Sequence, residues 1–248
     1  TRRQRFIYLF VFLSFSLCSL LSALCSLSSL WLVFFQCSSV VNLLYFRRVF
    51  AVKDMIRVIT GEFRGRWIRT PKGFDVRPIL ARIRKSLFDI LAPRIAGSVF
   101  LDLYCGSGAV GIEGLSRGAC QAVFVDLSPS VIGIVKKNLD DLGVASKSFC
   151  FSGDALRKET FSYLKGVVSP EKFDIIFMGP PYKDPVSKSP LALVKPTLEA
   201  VLSSDIIAQE GIIIAQHHIK EIFEPPEKFQ IYRREKYGDS VLSFLRLK

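Results

Sequence analysis

The stretch Asp102-Leu-Tyr-Cys-Gly106-Ser-Gly108-Ala-Val-Gly111 decides the reading of this 248-residue chain. It closes the apolar run 98–103 (SVFLDL) and opens residues 109–117, which carry a helical pattern. Two glycines this close let the backbone turn sharply and approach a ligand, because only glycine takes positive φ without steric cost. Working downstream, residues 121–126 (QAVFVD), 147–152, 173–178 (FDIIFM) and 211–216 (GIIIAQ) are similar short runs. Each is rich in β-branched or aromatic residues and bounded by Gly, Pro, Asp or Ser, the signature of buried strands. Helical patterns lie between them at 129–142, 155–165 and 191–203. Strand and helix in alternation predict an α/β fold, a mostly parallel sheet covered by helices on both faces. Ligands in such sheets bind at the carboxyl ends of the strands, where the strand order reverses.

Working upstream, residues 55–73 (MIRVITGEFRGRWIRTPKG) alternate like a β-hairpin turning at Gly61 or Gly65. Residues 77–91 then read as an amphipathic helix. Ile79, Ile83, Leu87, Ile90 and Leu91 share its apolar face, with Arg82, Lys85 and Asp89 away from it. Past the last helix, 228–235 and 240–247 read as two strands joined at Tyr237-Gly238-Asp239.

Three acids end three successive strand-like runs: Asp102, Asp126 and Asp154. Gly106-Ser-Gly108-Ala-Val-Gly111 matches the G-x-G-x-x-G fingerprint of dinucleotide sites, and Asp126 follows Gly106 by 20 residues, where a carboxylate accepts from ribose hydroxyls. That pair suits NAD or S-adenosylmethionine. Asp102, expected to face a cationic amine, favours the second, because a carboxylate repels a pyrophosphate. Asp154 is placed to accept from an adenine amine. The competing structural reading is that each acid caps the turn after it.

Gly179-Pro180-Pro181-Tyr182 ends the run 173–178. Two prolines stiffen the backbone and fix a carbonyl, and the ring offers a flat base a face to stack on.

Lys and Arg number 34 against 22 Asp and Glu, a net charge of +12, which points to an anionic partner. Half the residues are hydrophobic, which excludes a wholly disordered chain. The six cysteines form no C-x-x-C pair and no metal-ligand spacing, so reduced thiols and a cytoplasmic setting are expected, with no metal. Between Phe6 and Phe46 there is no charged residue, a length sufficient for one or two membrane spans. The first Met is Met55, and the composition turns globular there. Residues 1–54 are therefore read as a mispredicted start, the alternative being a membrane or targeting segment. Residues 55–248 retain 28 basic and 21 acidic groups, a net +7.

These motifs together resemble the class I S-adenosylmethionine-dependent methyltransferases. More closely, the chain is similar to the RsmD-like bacterial enzymes that modify a guanine N2 in small-subunit ribosomal RNA. The resemblance runs from about Met55 to Phe244. It is carried by Ile56-Arg-Val-Ile-Thr-Gly61, Arg64-Gly-Arg66, Arg77-Pro78, Arg82-Ile-Arg84, the glycine loop through Glu113, Ser116-Arg-Gly-Ala119, Lys137-Asn-Leu139, the Pro-Pro-Tyr turn and Lys236-Tyr-Gly-Asp-Ser240. It implies a Rossmann-like, mostly parallel seven-stranded sheet with a small N-terminal hairpin and helix. It divides the chain into a basic RNA-binding section (55–96) and an S-adenosylmethionine-binding domain (97–248). It implies a donor site of Asp102, Tyr104, Gly106, Ser107, Gly108, Asp126, Leu127, Asp154 and Ala155, and a catalytic turn of Gly179, Pro180, Pro181 and Tyr182. The RNA contacts implied are Arg57, Arg64, Arg66, Arg77, Arg82 and Arg84. A monomer acting on ribosomal RNA or an assembling small-subunit particle is expected.

Two departures stand out. The family's turn begins with Asp or Asn, which orients the target amine, and here Gly179 stands in that place. This predicts a weakened enzyme or a substitute acceptor such as Asp184, and it keeps open a silent RNA-binding or assembly factor. Ile79-Leu-Ala81 also replaces a polar stretch. His217 and His218 carry no motif and are read as surface or strand-end residues. Cys105 is read as a small packing residue of the loop.

Overall fold

The strand at 99–103 has both faces covered, so all five of its residues are buried. In the computed structural model, which describes residues 55–71, 79–166, 171–184, 187 and 189–248, it is the centre of the fold. The elements in chain order are β1 (Met55–Arg57), β2 (Trp67–Arg69), α1 (Ala81–Ile95), β3 (Val99–Leu103), α2 (Ala109–Ser116), β4 (Gln121–Asp126), α3 (Pro129–Leu142) and β5 (Ser148–Ser152). They continue with α4 (Lys158–Lys165), β6 (Phe173–Met178), α5 (Val194–Ser204), β7 (Ile207–His218), β8 (Phe229–Tyr237) and β9 (Ser240–Leu247). Residues 54–248 form one compact unit.

Seven strands make one sheet in the order β5-β4-β3-β6-β7-β9-β8. The first five are parallel, and β9 and β8 add antiparallel. Period-two alternation splits the core into two layers. Phe100, Phe124, Ile175 and Phe177 pack with Leu87, Phe88 and Ile112 on one face. Leu101, Leu103, Val125 and Ile176 pack with Phe161, Leu164 and Leu198 on the other. Each fully buried Phe or Leu contributes about 1.5–3 kcal/mol. The chain leaves β3 toward β4 and β5, then returns to β6 on β3's other side. The order therefore reverses between β3 and β6, and the carboxyl ends of these two strands meet there.

The hairpin forms as expected, with Met55 opposite Arg69, and Gly61 and Gly65 both adopt positive φ. It is clamped onto the sheet domain by side chains of α2 and α3. Glu113 accepts the N–H groups of Ile59 and Thr60 (both 2.9 Å), Ser116 Oγ accepts that of Phe63 (3.0 Å), and Asn138 pairs both ways with the Arg69 backbone. A Cβ on Gly61 would stand 1.8 Å from the Ser116 carbonyl oxygen, so only glycine permits this approach.

Several boundaries differ from the expectations. Helix α4 starts at Lys158, three residues late, because Asp154 Oδ1 takes the Leu156 N–H into a turn. Helix α5 starts at Val194 because Leu191 N–H is held by the Tyr182 carbonyl. Strand β7 begins at Ile207 rather than 211, where Ile207 pairs with Phe173 across a bulge. Helix α1 runs on to Ile95, while Arg77-Pro78 lies outside the described residues. So does the whole segment 1–54, with its apolar stretch and its reading as a mispredicted start or a membrane segment. Among the described residues no helix is long and apolar enough to cross a membrane.

Candidate active site

The loop after β3 is wound by left-handed residues. Tyr104 (φ 61°), Gly106 (53°) and Gly108 (73°) all lie in that region. Left-handed backbone at a tyrosine costs of order 1 kcal/mol and persists only where its surroundings enforce it. Here Asp126 Oδ2 accepts the Gly106 N–H (3.0 Å), Asp102 Oδ2 accepts the Gly111 N–H (2.8 Å), and Cys105 N–H bonds to the Val125 carbonyl. Asp102 was expected to face a ligand's amine. Instead it lies behind the loop, 1% exposed, and burial, with the Asp126 charge adding, pushes its carboxyl up to about 8. It ties β3 to the first turn of α2. Burial likewise raises the Cys105 thiol well above its usual range.

Asp126 is half-buried and also accepts the Ser128 N–H (3.0 Å). Leu127 beside it is 71% exposed. Asp154 is half-buried, accepts the Leu156 N–H (2.9 Å) and lies 3.6 Å from Arg157, while Ala155 is buried and Leu156 is exposed. Ser152 Oγ donates to the Leu127 carbonyl and joins the two loops. Each of the three acids thus satisfies backbone N–H groups. Asp126 and Asp154 also keep exposed surface, next to apolar side chains left in solvent. Ser107 is buried in the loop, and its carbonyl accepts from Asn138.

Next to this loop stands the proline turn. Leu103 pairs with Met178, and Gly179 N–H reaches the Leu103 carbonyl at 3.4 Å. Pro180 is buried, and Tyr182 is half-buried. The Tyr182 hydroxyl donates to Ser240 Oγ and accepts from Gln216 Nε2 (both 3.1 Å), and its ring meets His218 edge-on at 5.6 Å. Gly179 has no positive φ. A Cβ there would meet the Phe177 ring at 3.2 Å and Gln216 Oε1 at 3.8 Å. Tyr104 reaches α5, with its hydroxyl 2.7 Å from Thr197 Oγ1 and pushed up to about 12 by burial. Asp184, the expected substitute acceptor, turns Oδ1 into its own loop and accepts the Ser187 N–H at 2.7 Å. Gln216, His218 and Ser240 were missed by the sequence reading, because only the pairing of β6, β7 and β9 brings them to the turn.

Residues 56–246 match the family described as Conserved hypothetical protein 95. The chain belongs to this family. A similar curated relative is "Putative rRNA methyltransferase YlbH" of Bacillus subtilis (strain 168), 32% identical over 185 residues, covering 74% of this chain and 94% of that protein. "Ribosomal RNA small subunit methyltransferase D" of Haemophilus influenzae is 31% identical over 142 residues, covering 57% and 72%. Among solved structures, the chain titled "Putative methyltransferase yhhF from Escherichia coli" aligns with a TM-score of 0.66 at 28% identity, over 78% of this chain and 98% of that one. The resemblance read from the motifs is borne out, and so is the fold: a Rossmann-like methyltransferase sheet with a small N-terminal hairpin.

In this family member the basic section divides in two. Arg57, Arg64, Arg66 and Arg82 are exposed. The Arg57 guanidinium lies 5.5 Å over the ring of Trp67, itself 46% exposed, an aromatic the sequence reading passed over. Arg66 donates to the Asp141 carbonyl at 2.9 Å. Arg84 corrects an expectation. It is 1% exposed, donates to the Arg57 carbonyl at 2.6 Å and lies 3.6 Å from Glu113, so it holds the hairpin and offers RNA nothing. Its position falls between the core residues Ile83 and Leu87, on the buried side of α1. Arg77 lies outside the described residues. Of the two places expected for His217, surface or strand end, it takes the second: it is the next-to-last residue of β7, buried and paired with Ser243 Oγ at 2.9 Å, and burial lowers its pKa. Among the described residues no group of His, Cys, Asp or Glu is arranged to hold a metal ion.

Proposed function

We propose that this chain transfers a methyl group from S-adenosyl-L-methionine to the exocyclic N2 amine of a guanine in small-subunit ribosomal RNA. One observation carries the reading: the glycine loop at the end of β3 and the Pro-Pro-Tyr turn at the end of β6 stand side by side where the strand order reverses. The chemistry of the donor site fits the cofactor. Two half-exposed carboxylates, Asp126 and Asp154, suit ribose hydroxyls and an adenine amine, and exposed Leu127 suits a flat ring. When bound, the cofactor would supply an electrophilic sulfonium methyl for the guanine N2 lone pair, with the departing thioether keeping the C–S electron pair and N2 giving up one proton.

The protein's part is to hold the base out of its stack. Tyr182, fixed by Ser240 and Gln216, offers the ring for stacking, and the backbone before Pro180 and Pro181 offers carbonyls to the amine. Residues 55–96 take the RNA, with Arg57, Arg64, Arg66, Arg77 and Arg82 neutralising phosphates, and residues 97–248 take the donor. On this reading the partner is ribosomal RNA or an assembling small-subunit particle in the cytoplasm, and the protein acts as a monomer. Gly179 favours one other reading, a silent assembly factor that keeps the fold.

The test is methyl transfer from labelled S-adenosylmethionine to small ribosomal particles lacking the modification, with Gly179→Asp run in parallel. Transfer to a guanine by the chain as it stands supports the enzyme. Transfer only by Gly179→Asp supports the silent factor. Transfer by neither overturns the substrate assignment.

A further inference from the structure

We infer that Gln216 supplies the side-chain acceptor that the Gly179-Pro-Pro-Tyr turn lacks, and so reads the target amine, an inference that rests on the methyl-transfer reading above. Met178 pairs with Ala215 in the parallel β6–β7 ladder, so Gly179, just past the end of β6, stands level with Gln216 in β7. The Gln216 amide is oriented. Tyr182 has one hydroxyl hydrogen and donates it to Ser240, so it accepts from Gln216 Nε2. That turns the amide oxygen away from Tyr182. Oε1 then lies 3.8 Å from where a Cβ on residue 179 would stand, without a hydrogen bond to any described residue.

The missing side chain at 179 and the amide oxygen therefore serve the same space. A carbonyl oxygen accepts an N–H as an Asn at position 179 would. It is not a base, so the proton lost from N2 passes to solvent water. The same amide also steadies the Tyr182 ring, which couples the stacking surface to the acceptor. Asp184 is the less suited substitute, because its Oδ1 already accepts from Ser187.

The experiment measures binding of the full chain to two short single-stranded RNAs that differ in one base, guanine or hypoxanthine, the latter lacking the 2-amino group. One hydrogen bond to the amine predicts about a 3- to 10-fold preference for guanine. Gln216→Met, which keeps the length and removes the side-chain acceptor, lowers the preference to what the backbone carbonyls of the turn supply. Adding Gly179→Asp to Gln216→Met restores it, which a purely structural role for Gln216 does not produce. Affinity for S-adenosylhomocysteine, unchanged across the set, reports that each variant is folded. No preference in the unmodified chain overturns the inference, as does a preference undiminished in Gln216→Met, or failure of both RNAs to bind. Absent methyl transfer with an intact guanine preference overturns the enzyme reading instead, and leaves Gln216 as the amine contact.

Discussion

Asp102 and Asp126, at the tips of adjacent strands, grip one loop from opposite ends: Asp102 accepts the Gly111 N–H and Asp126 the Gly106 N–H. They differ in solvation. Asp102 is 1% exposed and its carboxyl is raised to about 8, whereas Asp126 keeps surface in solvent. The pair therefore separates into a buried anchor and a carboxylate that keeps a solvent-facing side.

A pH dependence of stability follows. The folded chain keeps Asp102 protonated up to about pH 8, while the unfolded chain releases that proton near the ordinary value of 3.8. Between these limits the folded state binds more protons, so stability falls as pH rises through the window. Asp102→Asn retains an acceptor for Gly111 and removes the titration. Thermal melts from pH 5 to 9 should show the wild type losing stability relative to Asp102→Asn. Parallel curves would remove the argument.

Gly111 is set by packing rather than by φ. A Cβ there would stand 2.4 Å from Cε1 of Phe124, a ring with no exposed surface. The ring has nowhere to go, so Gly111→Ala should cost about 1–3 kcal/mol, as overpacked cores do. Chemical denaturation measures it. A change under 0.5 kcal/mol, the usual size of neutral surface substitutions, would mean that the core yields.

Much of this architecture was legible because its strands are short apolar runs with hard boundaries. β4, β6 and β9 begin and end where their flanking Gly, Pro, Asp and Ser residues indicate. Non-local contacts were not legible. Arg84 reads as a charged surface position, yet Glu113, 29 residues on, draws it inward with the hairpin backbone. His217 is buried because Ser243 lies across the β7–β9 ladder. Gln216 carries no motif, and only the β6–β7 register sets it beside Gly179.

Arg82 and Arg84 of α1 should therefore separate cleanly. Arg82 is exposed, and Arg82→Ala should leave the melting temperature unchanged while lowering the salt slope of RNA binding by about 1. Arg84→Ala removes a buried partner of Glu113 and should cost on the order of 3 kcal/mol. Denaturation and salt-titrated RNA binding on both variants check this, and a salt-slope change in folded Arg84→Ala would return that residue to the RNA surface.

Gly179→Asp is the substitution that the structure accommodates most directly. The backbone there has no positive φ, and the nearest atom to a new Cβ is the Phe177 ring at 3.2 Å, which a small rotation relieves. The variant should fold with a stability change under about 1 kcal/mol. Its carboxylate would share the target amine with Gln216 Oε1 and, unlike the amide, take up the proton that N2 releases. A positioned base of this kind is worth at least about 10²-fold, so single-turnover methyl transfer should rise by roughly that factor. The gain should be larger at neutral pH than at pH 5, because protonation of the new carboxyl removes both its charge and its basicity. A folded Gly179→Asp protein with an unchanged rate and a flat pH profile would show that the amine leaves its proton elsewhere.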